Sequence, residues 1–171
     1  MENNDKAKFS DEYYQKEAEA IKIRGEIIQL ASIMEVKIDV IIGRYFCATD
    51  DLANELLHVV LPSERLTLTN KAKIVHFIIE NHYLHYYQQD KNLFKEINLL
   101  IEIRNQFAHR LYIQSAQVKE GEITLHTFKT DGNKMKVVEE HYSKEKLDVI
   151  RKMFNNVVQK LFNLGDEIKN K

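Results

Sequence analysis

Arg104, Asn105 and His109 stand within six residues of one another, in the stretch Ile103-Arg104-Asn105-Gln106-Phe107-Ala108-His109-Arg110. A guanidinium offers planar donors that match paired oxygens on a carboxylate or phosphate. An imidazole ordinarily titrates near neutrality and can take or give a proton. On a helix, Asn105 and His109 are i, i+4 neighbours, able to bond each other or share a ligand. At about 100° per residue, Arg104 falls on the apolar side with Ile97, Leu100 and Ala108, whereas His109 joins a polar stripe of Asn98, Glu102 and Asn105. An Arg on a core-facing row must be desolvated and paired. Its stem must swing around the turn to reach the stripe, or it must meet a partner across an interface. A purely structural cluster, with Glu102 or Glu96 as counter-charge, would instead tie two helices together.

Other reactive side chains carry weaker signals. His82 and His85 have the i, i+3 spacing of helical metal ligands, but this pair lacks the further ligands that a zinc site needs. With Tyr83, Tyr86 and Tyr87 they read as an exposed helix end bearing amphipathic rings, so no metal is assigned. His58 and His76 read as partly buried edges of helices, and His126 and His141 as exposed flanks of a hairpin. Cys47 has no His near it in sequence and reads as a small packing residue.

The elements that would hold the Arg-Asn-His turn follow from composition and periodicity. Only five Gly and one Pro in 171 residues favour long regular elements in a single domain, 1–171. Twenty-five basic and 26 acidic residues leave a net charge of −1, so any nucleic-acid contact must be a local patch. A lone Cys, no signal-peptide pattern and no apolar run of membrane length give the expectation of a soluble cytoplasmic protein without a membrane partner.

Residues 1–9 are polar and expected to be disordered, with Ser10 capping a helix to about Phe46. That helix carries a seam of Ile27, Ala31, Met34, Ile38, Ile41 and Tyr45, and a second row of Ile28, Ile42 and Phe46. The seam would be filled inside the chain or by a helix of another chain, and Gly25 and Gly43 are points where the helix could bend. Thr49 caps a short helix (Leu52, Leu56, Val59, Val60) that Pro62 stops. After a connector from Ser63, Thr69 or Asn70 caps a third helix that buries Ala72, Val75 and Ile78 or Ile79. Asp90 caps a fourth helix, from about Lys91 to Ile113, whose apolar face is Leu93, Ile97, Leu100, Ile101, Phe107, Ala108 and Leu111.

Glu122 to Phe128 alternates like a strand, Thr130-Asp131-Gly132-Asn133 marks a turn, and Met135 to Val138 returns. Ser143 then caps a last helix with a stripe of Leu147, Ile150, Phe154, Val157 or Val158, and Leu161. This helix is expected to fray after Leu164. The expected fold is mostly α: a four- to five-helix bundle with one β-hairpin inserted before the C-terminal helix.

Arg104-Asn105-Gln106-Phe107-Ala108-His109 resembles the signature of the HEPN superfamily, an Arg and a His four to six residues apart with a polar residue often directly after the Arg. Four residues separate them here, and Asn105 fills the polar slot. The surrounding text is also similar to the "RNxFAH" turn of mannitol-repressor-like members, and the late placement of the motif helix agrees. The resemblance implies a metal-independent endoribonuclease with no cofactor, a toxin or defence effector acting as a homodimer in which two motif helices form one cleft. RNA would then supply its own nucleophile, the 2′-hydroxyl. His109 would move the proton, Arg104 would hold the phosphate and stabilise its growing charge, and Asn105 would support either. Products would carry a 2′,3′-cyclic phosphate or 3′-phosphate and a 5′-hydroxyl.

Members that pair with a nucleotidyltransferase antitoxin carry a Tyr two residues after the His. Leu111 occupies that place, and Tyr112, at i, i+3 from His109, is the nearest substitute, which leaves an antitoxin partner open. Arg110 points about 100° from His109 and would touch an RNA backbone or, as favoured here, be solvated. Tyr112 and Glu102 complete the residues that could meet substrate. The alternative from the same resemblance is a non-catalytic regulatory or protein- and RNA-binding module, similar to mannitol repressors.

Overall fold

The computed structural model describes residues 11–62, 66–112, 119–131 and 134–169. Among them are six α-helices and three strands: α1 (Asp11–Phe46), α2 (Asp50–Glu55), α3 (Leu68–His82), α4 (Leu84–Gln89), α5 (Leu93–His109), β1 (Leu111–Tyr112), β2 (Ile123–Asp131), β3 (Lys134–Tyr142) and α6 (Lys144–Lys169). A π-helical turn, Leu56–Val60, continues α2. The fold is therefore mostly helical, with a small antiparallel sheet of order β1-β2-β3 inserted before the last helix. The expected disorder of residues 1–9 and the Ser10 cap lie outside the described residues. Among the described residues, no helix is long and apolar enough to cross a membrane.

The spine is α1, with α6, α3 and α5 packed along it. Ile27, Ala31, Met34, Ile38 and Ile41 are buried in one cluster with Val75 and Ile78 of α3, Ile97, Leu100 and Phe107 of α5, and Phe154, Val157 and Leu161 of α6. The seam is thus filled within the chain, and each such aliphatic or aromatic side chain contributes about 1.5–3 kcal/mol. Of the second row only Ile42 is buried, while Phe46 is exposed. The helix runs unbroken through Gly25 and Gly43. Polar ties reinforce the α1–α6 contact: Arg151 donates to both Glu26 carboxylate oxygens at 2.8 Å, and Arg44 meets Asp166 at 3.2 Å.

Several expected boundaries shift. Thr49 caps α2, its hydroxyl accepting from the Leu52 amide, but Leu52, Val59 and Val60 are exposed, and Ala53 and Leu61 turn inward instead. Thr67, rather than Thr69 or Asn70, caps α3 by accepting from the Asn70 amide at 3.3 Å. The buried face of α3 is as expected with Lys71 added, and His82 is exposed.

The motif helix α5 is shorter at both ends than the expected Lys91–Ile113. At its start, the Asp90 carboxylate accepts from the Asn92 amide at 3.1 Å, holding a turn before the helix. At its end, Arg110 takes extended backbone, and Leu111 and Tyr112 pair with His126 and Leu125 of β2. Strand pairing thus overrides the helical pattern of Leu111, which is exposed. The helix terminus expected at Ile113 lies outside the described residues.

The hairpin is longer than expected. Its register runs from Ile123 opposite Tyr142 to Asp131 opposite Lys134, while Gly132 and Asn133 lie outside the described residues. Ser143 caps α6, its hydroxyl accepting from the Lys146 amide at 3.3 Å. This helix continues past Leu164 to Lys169 because Leu164, Gly165 and Ile168 are buried.

Candidate active site

The C-terminal turn of α5 is held from three sides. Its last carbonyls have no partner within the helix and carry negative partial charge. Arg24 of α1 meets them, Nε donating to the Phe107 carbonyl at 2.9 Å and Nη2 to that of Ala108 at 3.3 Å. Phe107 is fully buried and meets the Tyr142 ring edge-on at 4.8 Å, and the Tyr142 hydroxyl donates to the Gln106 amide oxygen. Burial pushes the pKa of that phenol up, and the neighbouring Glu140 carboxylate pushes it further, so it stays a protonated donor.

Arg110 is fixed as well. Its Nη1 donates to Glu140 at 2.5 Å, and Lys146 reaches the other Glu140 oxygen at 3.3 Å. Burial alone would raise the Glu140 carboxyl, but hydrogen bonds from Arg110 and Lys146 hold it below its ordinary value. The expectation that Arg110 is simply solvated is corrected: it is half-buried in an ion pair.

Two open grooves meet at Asn105. The first, about 570 Å³, lies between the end of α5 and β2, with Asn105, His109 and Arg110 on one wall and His126, Thr127 and Phe128 on the other. The second, about 430 Å³, lies between α5 and the start of α3, and includes Arg104, Asn105, Glu35 and Lys71. The fold therefore brings Asn105, His109 and Arg110 into one groove and puts Arg104 in the next. Arg104 is half-buried rather than core-facing, and its Nη1 donates to Asn105 Oδ1 at 3.0 Å. Among the described residues no carboxylate pairs with Arg104: Glu96 is taken by Lys160 at 2.8 Å, and Glu102 is exposed. The tie between helices through Glu96 or Glu102 is thus absent among the described residues.

Tyr112 does not stack above His109 on a helix, because the helix has ended. Its hydroxyl donates to the Lys16 carbonyl at 3.5 Å, on α1, and burial raises its pKa. Glu102 and Tyr112 line neither groove.

His126, expected to be exposed, is buried at 7% exposure. Alternation along β2 explains its direction: Ile123 and Leu125 point to the core, and Thr124, His126 and Phe128 share the other face. There His126 stands opposite Leu111 and Glu139. Neither ring nitrogen is hydrogen-bonded, and the neighbouring Thr127 hydroxyl is likewise buried and unbonded. Nδ1 is 3.5 Å from a Glu139 oxygen, an ion-pair distance without hydrogen-bond geometry. Leaving such a group unpaired costs about 1–3 kcal/mol. His141, as expected, is exposed; it bonds Thr124 Oγ1 at 3.0 Å. Of the remaining histidines, His58 is exposed rather than partly buried, His76 stacks on Phe94 at 4.2 Å, and His85 meets Glu167 at 2.8 Å.

Lys71 was legible but unread. It stands at i, i+4, i+7 with Val75 and Ile78, a cation within a buried row. At 2% exposure it donates to Glu35 at 2.7 Å and Asp39 at 3.0 Å. Burial works against its charge, yet the two carboxylates hold its pKa above the ordinary lysine value.

No family model, curated protein or solved structure matches this chain. The site's own geometry therefore carries the functional reading.

Proposed function

We propose that this chain is a metal-independent endoribonuclease of HEPN type, acting as a homodimer. The observation that supports this most is the joint placement of Asn105 and His109 on the exposed face of a firmly anchored helix end, with Arg104 bonded to Asn105 at 3.0 Å. His109 is open to substrate and can take the proton of a 2′-hydroxyl or give one to the departing 5′-oxygen. Arg104 has no competing carboxylate among the described residues, so its guanidinium is available to a phosphate. Since Arg104 and His109 of one chain open onto adjacent grooves, a second copy docked with its motif helix alongside would bring one chain's Arg toward the other's His. The 2′-oxygen would displace the 5′-oxygen at phosphorus, leaving a cyclic phosphate and a 5′-hydroxyl. A toxin or defence role, held in check by an antitoxin protein, fits such an activity.

A second reading is a non-catalytic binding module. It is favoured by the half-exposed apolar side chains Leu111, Phe128 and Val137 with the more exposed Met135, clustered on the sheet, and by the edge of β2 left uncovered by β1 beyond His126.

The deciding assay incubates a broad set of RNAs with wild type and His109→Ala in excess EDTA, with end-group analysis and sedimentation of both proteins. Cleavage by the wild type alone, leaving 5′-hydroxyl ends, from a dimeric species is the expected result. Equal behaviour of the two proteins would transfer the reading to the binding module.

A further inference from the structure

The hairpin carries its charge unevenly. Ile123, Leu125, Thr127 and Lys129 share one face of β2, and Tyr142, Glu140, Val138 and Lys136 stand opposite them on β3. At the start of the hairpin this face meets the end of α5: Ile123, Leu125 and Tyr142 are buried, Tyr142 bonds Gln106, and Glu140 bonds Arg110. Thr127, next along, lines the groove that holds Asn105, His109 and Arg110. The row after it is Lys129 opposite Lys136, both exposed. The pair therefore stands one row, about 6–7 Å, beyond the groove wall and on the same side of the sheet.

Like charges directly opposite each other weaken a strand pair, so the fold gains nothing from these two lysines. Among the described residues neither has an ion-pair partner. Glu140, two rows back on that face, is taken by Arg110 and Lys146. The row beyond, Lys134 opposite Asp131, adds no net charge. Lysines that only kept the sheet edge from pairing would serve as well with a carboxylate opposite them. Two cations facing each other beside an open groove instead concentrate positive charge on a chain whose net charge is −1.

We propose that Lys129 and Lys136 bind the backbone of a single-stranded RNA, holding phosphates of the strand as it leaves the groove past the phosphate that His109 would meet. The partner is a strand rather than a mononucleotide, because the lysines lie beyond the groove and only a neighbouring phosphate reaches them. A cationic track of this kind follows the backbone and confers no sequence preference. The choice of RNA rests on the ribonuclease reading, and both lysines bind substrate without taking part in the proton transfer.

The full chain carrying His109→Ala, so that no strand is cut, is titrated with a fluorescent single-stranded RNA of mixed sequence and about ten nucleotides over a range of salt. Adding Lys129→Gln and Lys136→Gln should weaken binding about 10-fold at ~0.1 M salt and lower the log–log salt slope by about 1.4, the counterion release of two phosphate contacts on a single strand. Lys129→Arg with Lys136→Arg should bind as the parent does. Lys95→Gln with Lys152→Gln, which removes two exposed lysines from the first turn of α5 and from α6, should stay within about 2-fold of the parent. Lys136→Glu places opposite charges across the hairpin, and should raise the thermal midpoint while weakening RNA more than Lys136→Gln does. Loss of binding with a gain in stability excludes misfolding as its cause.

The proposal is overturned if the RNA does not bind, if the Lys129 and Lys136 Gln pair leaves affinity and slope unchanged, or if the Lys95 and Lys152 pair costs as much. It is also overturned if polyglutamate, and not RNA, is the polyanion these two lysines retain, since the face would then belong to an acidic protein partner. Lysine-dependent RNA binding by a wild type that cuts nothing would keep the backbone site and remove the ribonuclease. Cleavage with lysine-independent binding would do the reverse.

Discussion

At the scale of single residues, exposure separates chemistry from support. His109 is exposed, and its removal leaves no cavity and no unpaired partner among the described residues. His109→Ala should therefore keep its unfolding free energy within about 0.5 kcal/mol of wild type. RNA cleavage should nonetheless fall about 10²- to 10⁴-fold, the usual contribution of a positioned acid or base. Denaturant titration and the cleavage assay check the two halves separately. Arg24 predicts the opposite pattern, because it never faces substrate. Arg24→Met removes the cation that satisfies the Phe107 and Ala108 carbonyls. It should cost about 1–2 kcal/mol of stability. Amide hydrogen exchange should quicken first in the last turn of α5, and cleavage should drop only as far as that turn loosens.

Between elements, a few buried ionic contacts fix how helices meet. Lys71 joins α3 to α1 through Glu35 and Asp39. Lys71→Met leaves the largely buried Asp39 carboxylate and the partly exposed Glu35 without their cation, and should destabilise by about 2–4 kcal/mol, less than for a fully buried pair because Glu35 is partly exposed. Lys71→Met combined with Asp39→Leu should recover much of that loss, since an apolar pair removes both charges. Urea unfolding of the single and double variants measures the difference. A double variant no more stable than the single would show that Asp39 bears little of the cost. The last turn of α5 obeys the same logic. Its helical pattern continues through Leu111, but pairing with β2 and the Arg110–Glu140 contact redirect the chain.

For the molecule as a whole, ion pairs predict the response to acid. Hydrogen bonding from Arg151 lowers the Glu26 carboxyl from its ordinary value of 4.5. Glu140 is lowered from the same value, its hydrogen bonds from Arg110 and Lys146 outweighing a burial that alone would raise it. For a depressed carboxylate, the stability contributed is present above the unfolded value and is lost as pH falls through the folded one. Stability should therefore decline below about pH 4.5, and Glu26→Gln with Glu140→Gln should flatten that decline while lowering stability at neutral pH. Asp39 runs the other way. Burial raises it from 3.8, despite Lys71, so its ionisation costs stability as pH rises through that window. Thermal midpoints from pH 3 to pH 7, taken for wild type and the double Gln variant, test the sign.

Sequence periodicity by itself determined the architecture: the α1 seam, the buried faces of α3 and α6, that of α5 up to Phe107, and, from strand alternation, a hairpin before the last helix. Period and capping are local properties, carried by residues close in sequence. The turn bearing Arg104, Asn105 and His109 was legible for the same reason. Tertiary structure alone decided where α5 stops, because the strand that captures Leu111 and Tyr112 lies beyond them in sequence. It alone buried His126, paired Arg110 with Glu140 and brought Arg24 under the end of the motif helix. Each of these depends on contacts between residues remote in the chain, where burial and charge pairing outweigh local propensity.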